Sequence, residues 1–142
     1  MPRNKRITRT SRLMKIPEGA VYAGRPSQWG NPARIGHWLK IDFPLYRQSF
    51  LQPGEKVFVS TNPIAVAIFY EYCISFCERD QKAFEAWLLP LVGKDLCCWC
   101  EPTIACHTDV LFYLVGLLVD GVFQKPAVWP TLDEVTGYKS VV

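Results

Sequence analysis

Apolar residues in this 142-residue chain fall into short runs separated by turn-forming clusters. Ala20-Val21-Tyr22-Ala23-Gly24 predicts a short strand running into a Pro/Gly/Asn-rich loop from Arg25 to Pro32. Trp38 to Phe43 and Lys56-Val57-Phe58-Val59-Ser60 predict two more strands, with Pro53-Gly54 as a turn signal before the second. Asn62 reads as an N-cap with Pro63 at the first helical position, and the apolar stretch Ile64 to Cys77 predicts a largely buried helix. Asp80 caps a second helix through Ala83, Phe84, Trp87 and Leu88, which Pro90 and Gly93 end. Leu96-Cys97-Cys98-Trp99 reads as a further strand. The last helix is expected from about Thr108 to Val119, with Leu111, Leu114, Val115 and Leu118 on one face and Gly121 as its stop. Strands separated by helical stretches predict a small single α/β domain, a short sheet flanked by about three helices.

Composition adds that the chain folds. With 49% hydrophobic and 20% charged residues it has material for one core, which excludes global disorder. The net charge of +3 conceals an asymmetry. Arg3, Lys5, Arg6, Arg9, Arg12 and Lys15 occur before the first acid, Glu18, so residues 18–142 hold ten basic and thirteen acidic groups. The chain therefore reads as a basic N-terminal arm (1–17), an α/β body (18–121) and a C-terminal extension (122–142), the last either packed or extended around Pro126 and Pro130. The arm mixes its cations with Thr8, Thr10 and Ser11, a composition suited to phosphate contact, so a nucleic acid is its natural partner. A solvated tail explains the same composition. The longest apolar run, Val110 to Val119, is ten residues, about half of the ~20 needed to cross a bilayer. No secretory pattern precedes the six cysteines, so reduced thiols and a cytoplasmic setting are expected.

Two segments carry candidate chemistry. In the first, Arg25 offers a forked set of donors to an anion, Ser27 a hydroxyl, Trp29 a stacking face and Asn31 a carboxamide, a set that suits a phosphorylated or aromatic ligand. The structural alternative is a well-made turn in which Gly24 and Gly30 supply unusual dihedrals, Trp29 plugs the core and Asn31 bonds backbone. In the second, Cys98, Cys100, Cys106 and His107 place soft and borderline ligands where a strand hands over to a helix. If the strand persists to Cys100, Cys98 and Cys100 share a face and can converge with Cys106 or His107 on zinc. Alternatively, Cys106 at a helix N-terminus is an activated nucleophile with His107 as acid or base, or the cysteines are small buried hydrophobes. Cys73 and Cys77, four apart on an apolar helix, read as core.

Tyr22 to Pro32, then Gly93-Lys94-Asp95-Leu96, Cys98-Trp99-Cys100-Glu101-Pro102 and Cys106-His107-Thr108-Asp109-Val110-Leu111 together resemble a small bacterial and phage family catalogued as domain of unknown function 4326. The resemblance covers about Val21 to Leu118, with Trp38 to Ser60 reading as an insertion, and it brings no established activity. It implies that the two motifs meet in one site. The expectation is thus a phage-type protein of the host cytosol or virion, binding or acting on a nucleotide or nucleic acid. In that reading Arg25, Ser27, Trp29 and Asn31 bind the ligand, and Cys106 and His107 supply chemistry or, with Cys98 and Cys100, ligate zinc. The competing expectation is a non-catalytic structural or partner-binding protein in which both motifs stabilise the fold, with Trp38, Trp87, Trp129 and the C-terminal extension available to a protein partner. The sequence leaves its oligomeric state open.

Overall fold

The computed structural model describes residues 5–46, 54–100 and 103–138; Arg3, Pro53, Glu101 and Pro102 lie outside these. The first element, β1 (Arg6–Thr8), arises inside the stretch read as a free basic arm. It is followed by β2 (Ala20–Tyr22), the hairpin strands β3 (Trp38–Lys40) and β4 (Lys56–Phe58), helix α1 (Asn62–Arg79) and helix α2 (Gln81–Leu88), which ends in a 3-10 turn at Leu89–Leu91. β5 (Asp95–Cys98), α3 (His107–Val115), the two-residue strands β6 (Leu118–Val119) and β7 (Val122–Phe123), and α4 (Leu132–Thr136) complete the order.

The main sheet has the order β1-β5-β2, with both outer strands parallel to β5. Central position explains why Leu96, Cys97 and Cys98 are 0–1% exposed, and why β5 lacks the alternation of a half-solvated strand. The register sets Thr8 opposite Cys98 and Tyr22 opposite Cys97, so all three strands end at one level. Their carboxyl ends form a common rim, which is where open α/β sheets bind ligands.

α1 is capped by Thr61, whose side chain accepts from Ile64 N, one residue earlier than the sequence reading placed the cap. Asn62 is already helical, and its side chain instead donates to Ala105 O at 2.6 Å, tying α1 to the segment before α3. The helix is buried nearly all round. Phe69, Tyr70, Cys73 and Ile74 join a core with α2, α3 and Leu96, while Ala65 and Ile68 pack beneath the β3–β4 hairpin with Ile41, Phe43 and Val59. Asp80 caps α2 through Ala83 N, as its position predicts. α3 is shorter than expected: it stops at Val115, before Gly116, and Leu118–Val119 turns back as β6 onto β7 across Asp120 and Gly121, both at positive φ. The extension is packed where it is described: Trp129 and Val135 are buried in the main core, and Tyr70 Oη donates to Pro130 O. The fold is the expected small mixed α/β domain, with four α-helices among the described residues. No helix there is long and apolar enough to cross a membrane.

Candidate functional site

The cysteine segment is held by β1. Arg6 donates to Ile104 O at 2.9 Å and pairs with Asp109 at 3.0 Å, Thr8 Oγ1 donates to Cys100 O, and Arg9 N donates to Cys98 O. Asp109, fully buried, also accepts from Cys106 N at 2.9 Å and so closes the first turn of α3. These bonds fold the chain after β5 back on itself and bring three sulfurs together. Those of Cys98, Cys100 and Cys106 lie within 4.8 Å of one another, with Cys98 and Cys106 only 3.3 Å apart. The three cysteines can hold a metal ion.

The electrostatics of the trio differ from the sequence expectation. Hydrogen bonds from Cys100 and Cys106 stabilise a thiolate on Cys98 and pull its pKa far below the ordinary thiol value. The same contacts, Cys100 first and then Cys98, hold the proton on Cys106, with burial acting in the same direction. The helix-terminus argument points to Cys106 as the low-pKa thiol; hydrogen bonding among the three crowded sulfurs favours the thiolate on Cys98 instead. Cys106 is 0% exposed, behind the other two.

His107 bridges the two motifs. Its Nε2 lies 2.6 Å from Ala23 O, an acceptor, so Nε2 carries the proton and Nδ1 presents a lone pair 3.4 Å from Cys106 Sγ. Burial lowers its pKa and favours this neutral form, and the Phe69 ring packs edge-on at 5.1 Å. The mutually close group among the described residues consists of the three cysteines; His107 stands beside it, next to Cys106. The Ala23 carbonyl orients the imidazole so that Nδ1 faces the cysteines.

Beyond the strand ends lies a cleft of about 700 Å³. Arg9 and Arg12 line it from the segment after β1, Arg25 and Arg34 from the loop after β2, and Cys98, Cys100 and His107 from the second motif. Tyr22 and Trp99 add aromatic faces. Trp99 Nε1 donates to Tyr22 Oη, and the Arg9 guanidinium sits 5.1 Å and 5.3 Å from the two ring centroids. The Tyr22 hydroxyl in turn donates to Arg25 O, and a Cβ on Gly24 would lie 2.5 Å from it. Gly30 likewise lets the loop close over Arg25, its added Cβ lying 3.1 Å from Arg25 Cα. Close approach, rather than the unusual dihedrals expected, accounts for glycine at both positions.

The first motif divides. Arg25 faces the cleft, with Nη1 donating to Asn31 O at 3.0 Å. Asn31 lines the same wall but commits its side chain to the fold, donating to Ala65 O and accepting from Ala33 N. Trp29 and Ser27 are not in the cleft lining. Trp29 Nε1 donates to Trp87 O while Trp87 Nε1 donates to Gln28 O, a reciprocal clasp against α2. Ser27 Oγ is buried without a hydrogen-bond partner among the described residues. The sequence reading missed Arg34 and put Arg9 and Arg12 in a detached arm. A three-residue strand is too short to show period-two alternation, so the basic composition was the only signal.

A family model described as domain of unknown function (DUF4326) matches residues 6–116. No curated protein and no solved structure matches the chain. The match starts at Arg6 rather than near Val21, in keeping with β1 being an integral strand of the sheet. Since it spans most of the chain, from that strand through α3, and includes the cleft and the cysteine trio, the protein belongs to the DUF4326 family.

Proposed function

We propose that the cleft binds a nucleotide or nucleic acid and that Cys98, Cys100 and Cys106 hold a zinc ion beside it. The observation that carries the reading is the convergence of Arg9, Arg12, Arg25 and Arg34 on one concave surface, with no carboxylate ion-paired to any of them among the described residues. Arg9 and Arg25 bond only neutral carbonyl oxygens there, so the positive charge at this wall favours an anion. The rings of Tyr22 and Trp99 carry the Arg9 guanidinium at the cleft wall, and the cleft volume falls within the ~300–1,000 Å³ of small-molecule sites. Arg25 keeps the donors on Nη2 and Nε for phosphate, since its Nη1 is the nitrogen spent on the loop.

Three thiolates suit zinc, whose tetrahedral shell then has one position left. Cys98 and Cys100 form part of the cleft wall, so the ion borders the bound molecule. Cys98, Cys100 and Cys106 would hold the ion, which would supply Lewis-acid chemistry beside the ligand, and His107, whose Nδ1 faces Cys106, would serve as acid or base or as a further ligand.

The alternative, a non-catalytic structural or partner-binding protein, draws support from Trp29 and Asn31, whose polar groups serve the fold. The test is titration of the purified protein with nucleoside phosphates and oligonucleotides at low salt. Arg25→Ala and Arg34→Ala are expected to weaken binding while leaving the thermal transition in place. Failure to bind any nucleotide or nucleic acid overturns the proposal.

A further inference from the structure

The β3–β4 hairpin has two unlike faces. Leu39 and Val57, paired across the strands, point inward onto the core formed by Ile41, Val59 and Ile68. The other face carries two cross-strand pairs, Trp38 with Phe58 and Lys40 with Lys56, all four exposed. Trp38 is 67% and Phe58 43% exposed, with ring centroids 5.4 Å apart. The ring pair supports the strand pairing, but stability does not call for Lys40 opposite Lys56, since like charges directly opposite each other weaken a strand pair. The strand that carries this face begins three residues after the cleft wall. Arg34 and Ile35 line the cleft wall, and the next residues, Gly36 and His37, bond to Val59 and lead straight into Trp38.

Resting on the reading of the cleft given above, we infer that its ligand is a single-stranded nucleic acid whose strand continues over this hairpin. Bases stack on Trp38 and Phe58, and phosphates pass the lysine pair. Aromatic faces interleaved with cations are what a single strand recognises, because every base has a π-face and every linkage a negative charge. Asp42 and Glu55, both exposed, lie two and one positions from Lys40 and Lys56 along the strands, on the side away from the Trp38–Phe58 pair. A duplex, with its bases already stacked, gains nothing from the rings.

The test compares a nucleoside diphosphate with a labelled oligothymidylate of about 12 nucleotides, within the range one such surface covers, by fluorescence anisotropy across salt concentrations. The oligonucleotide is expected to bind the wild type more tightly than the diphosphate. Trp38→Ala is expected to weaken the oligonucleotide about tenfold and leave the diphosphate unchanged. Lys40→Gln with Lys56→Gln is expected to lower the salt slope by roughly two while leaving the folded state as stable or more so, which separates ligand contact from hairpin packing. If the diphosphate binds but the oligonucleotide binds no tighter, or the hairpin variants bind it like the wild type, this inference is overturned and the cleft reading stands. If the wild type binds neither probe, both fail together.

Discussion

Arg6 and Asp109 form an ion pair at 3.0 Å, with side chains 8% and 0% exposed. One residue comes from the edge strand and the other from the first turn of α3, so the pair locks the start of the domain onto the helix that carries Cys106 and His107. Asp109 also accepts from Cys106 N, and Arg6 donates to Ile104 O, so the pair anchors the residues that lead into α3.

Removing one partner leaves an uncompensated buried charge. Arg6→Ala is therefore expected to cost about 3–5 kcal/mol of folding stability, read from urea denaturation, and to loosen the cysteine trio. Arg12→Ala, at an exposed position, is expected to change stability by less than about 0.5 kcal/mol. Equal and small effects at both positions would mean that Arg6 behaves as a surface cation after all.

The tryptophan clasp separates a fold residue from a ligand residue. Trp29→Phe keeps the ring packing but deprives Trp87 O of its donor, at an expected cost of about 1–3 kcal/mol. Nucleotide affinity should stay within twofold of wild type. A large loss of affinity with an unchanged urea midpoint would return Trp29 to the binding surface.

Metal content is expected to be stoichiometric in zinc, to fall in Cys98→Ser and Cys100→Ser, and to persist in Cys77→Ala, whose thiol belongs to the core. Chelation should lower the melting temperature, since an ion bound only by the folded state stabilises it by more than about 2 kcal/mol when present in large excess over its dissociation constant. Metal-free protein from zinc-replete medium, with a melting temperature insensitive to chelator, would remove zinc from the site.

Glu78 offers a pH-dependent test of the packed extension. Hydrogen bonding to Lys125 at 2.7 Å, and secondarily to Trp129 at 3.1 Å, holds its carboxylate below the ordinary 4.5. A depressed folded-state pKa means that this contribution is fully present above the unfolded value and is lost as pH falls through the folded one. Wild type should thus lose more stability than Glu78→Gln between pH 6 and 3, measured by urea midpoints, in the direction those shifts dictate. Identical pH profiles would show that the extension is not held there.

Some of this was open to reading from the chain alone. Asp80 followed by an apolar periodicity marked α2, and Cys98, Cys100, Cys106 and His107 stood out by their chemistry. Other residues misled for physical reasons. Thr61 and Asn62 are both good caps, and local sequence does not choose between them. Trp29 read equally as a stacking face or as a core plug, and only the distant Trp87 carbonyl, which takes its N–H, places it against the core. Arg6, Arg9 and Arg12 looked like a tail because the three-residue strand they flank has no periodicity to read.

The sequence by itself determined the α/β class, the buried character of α1 and the residue types of the candidate chemistry, because helix caps, apolar runs and ligand side chains act over a few neighbouring positions. Tertiary structure alone decided that Arg6 is a buried partner of Asp109, that the sulfurs of Cys98, Cys100 and Cys106 meet, and that four arginines from two separate segments share one cleft. Those outcomes depend on parallel pairing across some ninety residues of chain, between β1 and β5. Pairing of that kind is settled by the whole fold, and no local pattern encodes it.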